Sequence, residues 1–133
     1  MAWHTPLTKK YGAAAANKYG AIRTDLDGYS FASKGEAACY VMLKQLNMAG
    51  ELADIRCQRT IKLMPSVNFK VDFVVYDMKL AQDVYVEFKG FQCERWRMIR
   101  NTWRDVGPGI LRVYGKKNNG VFLVEEIHGG KRG

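Results

Sequence analysis

Apolar positions recur at helical spacing in two long stretches of this chain and fall into short β-prone runs elsewhere. "SKGEAACYVMLKQLNMAGE" places Cys39, Met42, Leu43 and Leu46 on one face of a helix. Ser33 is a good N-cap for it and Gly50 a good C-terminal stop. "FQCERWRMIRNTWRDVG" predicts a second helix, with Trp96, Ile99, Trp103 and Val106 on one face and Arg97, Arg100 and Arg104 on a neighbouring one. Gly107-Pro108-Gly109 ends it. Between the helices, "LADIRCQRTIKL" reads as an extended segment, and "FKVDFVVYD" and "DVYVEFKG" read as strands close enough for a hairpin. "ILRVYG" and "VFLVEEI" predict two final strands around the turn-prone "KKNNG". Near the start, Asp27-Gly28 predicts a tight hairpin. Helix, strands, helix, strands is the order of a mixed α/β domain.

A length of 133 residues suits one domain, and 47% apolar residues can fill a core. The expected organisation is a loose basic arm over 1–20, a domain over 21–128 and a tail over 129–133. No apolar run is long enough for a membrane span, and no signal-peptide core is visible, so no membrane partner and a cytoplasmic location are expected. Cys39, Cys57 and Cys93 are odd in number and widely spaced, without a C-x-x-C pair, and read as free thiols rather than zinc ligands.

The net charge of +8 is uneven and changes the picture. Residues 89–133 carry ten bases against four acids, whereas residues 35–88 carry six bases against seven acids. Such asymmetry suits a polyanionic partner, most often nucleic acid, although a solvated basic surface has the same composition.

The candidate chemistry lies in the acidic stretch. Successive strand residues point to opposite faces, so Glu87 and Lys89 share one. Asp72 lies opposite Val71 and Phe73 in its strand, and hairpin pairing would let Asp72 and Glu87 converge. Converging carboxylates repel unless something compensates, and a divalent cation with hard oxygen ligands does so. Lys89 beside them would hold a water or a phosphate oxygen, a set that fits metal-assisted phosphodiester hydrolysis. A surface ion-pair cluster has the same spacing. Glu36 forms an S-x-x-E capping box with Ser33, yet it also borders the buried stripe of its helix and can look into a cleft.

"DGYSFASKGEAACYVMLKQLNMAGEL", "IRCQRTIKL", "FKVDFVVYD" and "VYVEFKGF", in that order, resemble a phage and prophage group of small nucleases, DUF1064, of the PD-(D/E)XK superfamily, which includes phage Holliday-junction resolvases. The resemblance covers residues 21–105. It implies a restriction-endonuclease-like mixed β-sheet flanked by helices. It further implies Asp72, Glu87 and Glu36 as acids of a Mg²⁺ site that Mn²⁺ would also fill, Lys89 as the lysine that orients the attacking water, and Gln58 as a glutamine near the active site. Val71 stands where the superfamily pattern has proline.

A nuclease of this kind needs DNA held across the carboxylates. Arg97, Arg100 and Arg104 can fork onto phosphates, and Lys34 with the arm lysines Lys9, Lys10 and Lys18 can clamp another part of the duplex. Trp96 and Trp103 could stack on bases, but their spacing favours core packing. Two paired cuts in a junction need two active sites, hence an expected homodimer. No small-molecule cofactor is expected.

Overall fold

The computed structural model describes residues 24–89, 93–118 and 120–130. The proposed arm over 1–20, with Lys9, Lys10 and Lys18, and the last three residues of the tail lie outside that set. In chain order the elements are β1 (Thr24–Leu26), β2 (Tyr29–Phe31), α1 (Lys34–Met48), β3 (Leu52–Met64), β4 (Val67–Asp77), β5 (Gln82–Phe88), α2 (Glu94–Val106), β6 (Ile110–Lys117) and β7 (Gly120–His128).

Strands β3 to β7 form one mixed sheet in the order β3-β4-β5-β6-β7. β5 and β6 run parallel, joined through α2, and the other neighbours are antiparallel. A parallel pair needs such a crossover, which places a helix on the sheet. α1 packs on one face with Phe73, Val75, Val84 and Val86. α2 packs on the other with Val71, Val74, Leu111 and Val113. The molecule is therefore a sheet between two helical layers, the mixed α/β architecture that the order of elements predicts.

The local signals explain the element ends. Ser33 is extended (φ −154°) and its hydroxyl accepts the Glu36 N–H at 3.1 Å. Gly50 takes φ +81°, and its N–H donates to Asn47 O while that of Glu51 donates to Leu46 O, the paired bonds of a Schellman stop. Asp27 (φ 52°) and Gly28 (φ 82°) are both left-handed, as a two-residue hairpin with the favoured twist requires. At the end of β4, Asp77 Oδ1 accepts the N–H groups of Lys79 and Leu80 and turns the chain into β5. Trp96 and Trp103 are buried at 2% and 0% exposure, so both are core residues rather than stacking platforms. No described helix is long and apolar enough to cross a membrane.

One feature of the sheet is absent from the sequence pattern. Ile55 and Cys57 of β3 and Phe73 and Val75 of β4 pack toward α1. Ile61 and Leu63, and Phe69 and Val71, pack toward α2. Within each strand these residues are an even number of positions apart and would share a face in a regular strand. Yet the pairing continues in register on both sides, with Cys57 opposite Phe73 and Arg59 opposite Val71. Both strands therefore change face together at the level of Gln58 and Asp72, and Gln58 carries the left-handed backbone (φ 55°).

Candidate active site

That change of face opens the sheet. β4 and β5 pair from Asp77–Gln82 to Phe73–Val86. At the next level, side chains replace the ladder. Asp72 Oδ2 accepts the Phe88 N–H at 2.8 Å, and Glu87 Oε1 accepts the Asp72 N–H at 3.0 Å. Each carboxylate fills the gap by bonding to the other strand's backbone, where a donor would otherwise be left unpaired. β5 stays fixed on its far side, because Glu87 and Phe88 still pair with Val113 and Tyr114, and the Lys89 N–H donates to Tyr114 O.

Two cavities flank this fork. One, of about 510 Å³, lies under β1 and β2 on the α1 side and is lined by Glu36, Gln58, Lys70 and Asp72 among others. The other, of about 350 Å³, lies on the α2 side and holds Glu87, Lys89, Arg95 and Trp96, again with Lys70 in its wall. Asp72 lines the first cavity and Glu87 the second, and the two acids meet at the fork between them, with Lys70 in both walls.

The position of Glu36 depends on a neighbour that the pattern does not single out. Gly35 presses against the ring of Phe88, and a Cβ there would overlap that ring. This close approach brings the first turn of α1 down onto β5 and sets Glu36 beside Asp72.

The electrostatics follow from burial and crowding. Glu87 is only 4% exposed, and loss of water pushes its pKa up to about 7. Lys89, whose Nζ lies 3.1 Å from Glu87 Oε2, pulls the other way, as does the Asp72 N–H, while Glu36 adds to the rise. The Asp72 pKa is likewise held well above the ordinary carboxyl range by burial first, then by the charges of Glu87 and Glu36, against the bond from Phe88 N–H. Burial also raises the nearby Cys39 thiol, with Asp72, Glu36 and Glu87 contributing, so this buried cysteine is inert rather than nucleophilic. Lys89 sits 5.0 Å from the centre of the Trp96 ring, a cation over an aromatic face.

The donor chemistry suits a hard divalent cation: carboxylate oxygens, more negative charge than Lys89 can offset, and raised pKa values that a cation would bring down. The arrangement is not a ready-made shell. Among the described residues no group of three or more His, Cys, Asp or Glu is disposed to hold a metal ion. Both oxygens of Glu87 have partners, Asp72 N–H and Lys89, so binding would require Glu87 to exchange one of them.

The remaining candidates divide. Gln58 does reach the site, and its Nε2 donates to Ser30 O at 3.2 Å, which ties the β1–β2 hairpin over the α1-side cavity. Lys34 and Arg97 are exposed. Arg100 and Arg104 do not stand free, because both reach Glu125 Oε2, at 2.9 and 3.6 Å. Lys70 and Arg95 line the fork although sequence reasoning did not select them. The signal for Lys70 was its place two residues before Asp72 in the same strand.

A family model described as "Protein of unknown function (DUF1064)" matches residues 16–107. No curated protein and no solved structure matches the chain.

Proposed function

The chain belongs to the DUF1064 family, and we propose that it is a metal-dependent endodeoxyribonuclease of the phage junction-resolvase kind, which hydrolyses phosphodiester bonds in branched DNA. The observation that carries this reading is the fork itself. Asp72 and Glu87 are locked to each other's strand, with Glu36 beside them and Lys89 on Glu87. Asp72, Glu87 and Glu36 outnumber Lys89, which pairs with Glu87 alone, and a bound divalent cation would offset the excess of negative charge.

In this reading Asp72, Glu87 and Glu36 would hold Mg²⁺ or Mn²⁺, which when bound would lower the pKa of a water and offset charge at the scissile phosphate. Lys89 positions the attacking water, its ammonium fixed by Glu87 and the Trp96 ring. Lys70, Lys34 and Arg97 are exposed cations available to phosphates. Paired cuts at a junction would require two copies of the chain.

A second reading has its own support. The carboxylates already satisfy backbone N–H groups, and so could be structural parts of a DNA-binding module without catalysis. Incubation with junction, fork, flap and linear duplex DNA in Mg²⁺ and in Mn²⁺ separates the two. Cleavage favouring branched substrates supports the nuclease, and binding with no cleavage in either metal supports the module.

A further inference from the structure

The cavity on the α2 side carries more positive charge than the proposed metal site uses. Lys70, Lys89 and Arg95 line it, and Glu87, the acid in its wall, is already paired with Lys89 at 3.1 Å. Lys70 and Arg95 are left over. Both are exposed, and neither enters an ion pair among the described residues. Arg95 donates one guanidinium N–H to the backbone carbonyl of Asn68 at 3.0 Å, which fixes its position without offsetting its charge. Partly enclosed arginines elsewhere do meet acids: Arg56 meets Asp83, Arg100 meets Glu125 and Arg112 meets Asp77. Two unmatched cations in one concavity therefore point to an anion from outside the chain.

The apolar floor of the cavity offers no face to a ligand. Phe69, Trp96 and Ile99 are nearly fully buried, and Lys89 already covers the Trp96 ring. What remains is charge and N–H donors, which suits a backbone phosphate and not a base: arginine forks onto phosphate oxygens and lysine adds a point charge. Lys70 fixes where that phosphate lies. It stands two residues before Asp72 in β4, and it is the one described residue in the walls of both cavities. The α1-side cavity holds Asp72 and Glu36, so a strand that presents a phosphate to the fork passes Lys70 on its way to the other cavity. We infer that the α2-side cavity is a subsite for one backbone phosphate of a DNA strand, the neighbour of the phosphate presented to the fork, held by Lys70 and Arg95. This assignment rests on the nucleic-acid reading above and adds to it the path of the strand, across the fork from one cavity to the other. Contacts to phosphate carry no sequence information, so the subsite positions the strand whatever its bases.

The test measures binding in EDTA, without metal or cleavage. Full-length protein is titrated with a synthetic four-way junction, and with versions in which single phosphates near the crossover are replaced, one at a time, by uncharged methylphosphonates. One replacement should weaken binding by the wild type about fivefold or more. The variant Lys70→Ala/Arg95→Ala, altered at two exposed positions, should keep a thermal midpoint near that of the wild type. It should bind the unmodified junction about as weakly as the wild type binds that modified one, and the same replacement should weaken it no further, because the contact is already gone. Replacements at other positions should weaken both proteins alike. Where the junction is cut in Mg²⁺, the phosphate so coupled should be the neighbour of the one cleaved. Replacements that all weaken wild type and variant by the same factor would overturn the assignment, as would a coupled phosphate more than two positions from the cut. Failure of the nuclease reading looks different. A coupled phosphate in a protein that cuts no DNA would uphold the subsite and overturn the nuclease, and cleavage without a coupled phosphate would do the reverse.

Discussion

Asp72 and Glu87 hold each other's strands. The carboxylate of Asp72 takes the N–H of Phe88 at 2.8 Å, and that of Glu87 takes the N–H of Asp72 at 3.0 Å, where the β4–β5 ladder ends. Side chains that close a sheet at its fork are buried, so ionising them costs free energy that water would otherwise offset. This geometry links the stability of the protein, its response to cations and its proposed chemistry.

The first consequence is a pH dependence. Glu87 has its pKa raised to about 7 from 4.5, and that of Asp72 is also raised. An acid whose folded pKa exceeds its unfolded value is destabilised by ionisation. The cost is absent below the unfolded pKa, grows as pH rises toward 7, and is complete above it. The thermal midpoint measured in EDTA should fall between pH 5 and pH 8, and the slope should be shallower in Glu87→Gln. An equal slope in both proteins would show that the fork does not titrate as described.

Cations should act in the opposite sense. Only ionised carboxylates bind a divalent metal, so added Mg²⁺ should raise the midpoint at pH 8 and change it little at pH 5. Chelation should reverse the rise. Differential scanning fluorimetry at the two pH values, with Ca²⁺ and Mg²⁺ compared, checks this, and an equal rise at both would indicate binding elsewhere.

Gly35 offers a test in which two known effects oppose each other. In a helix, alanine is favoured over glycine by about 1 kcal/mol. Here the added Cβ would overlap the Phe88 ring, and overpacking of this kind costs about 1–3 kcal/mol. Gly35→Ala should therefore lower stability in urea, and should disturb the Asp72–Phe88 bond enough to weaken metal-dependent stabilisation. A stabilised variant would mean that α1 does not sit as close to β5 as described.

Gln58 tests the change of face in β3 and β4. A β-branched residue tolerates its left-handed backbone poorly, so Gln58→Val should cost about 1–3 kcal/mol, whereas Gln58→Gly, which removes the same side chain, should cost less. Urea midpoints of the two variants give the comparison. The reverse order would place the cost in the Ser30 contact instead of the backbone.

Much of this fold was legible because local signals and burial agree. Ser33, Gly50, Asp27-Gly28 and Gly107-Pro108-Gly109 punctuate the chain where their chemistry predicts, and the Trp96–Trp103 stripe faces the core. The rule that side chains alternate placed Glu87 and Lys89 together correctly, since both line the α2-side cavity. It brought Asp72 to Glu87 as well, but it failed for Val71 and Phe73, which pack on opposite faces because both strands change face beside the left-handed Gln58, and glutamine carries no strong propensity for that conformation. The arginine face of α2 was visible by spacing, but Glu125, which takes up Arg100 and Arg104, lies on β7, and only the tertiary fold brings it there. Lys70 and Arg95 escaped notice for a related reason. Their importance comes from the two cavities, which exist only once β4 and β5 have parted.

The most direct test of the central claim is the rate at which a synthetic four-way DNA junction is cut in Mg²⁺ by the wild type, by Asp72→Asn and by Glu87→Gln, with junction binding measured in parallel in EDTA. The wild type should cleave, and both variants should lose cleavage while they keep most of their affinity for the junction. Cleavage by either variant at the wild-type rate would contradict a metal site built on Asp72 and Glu87.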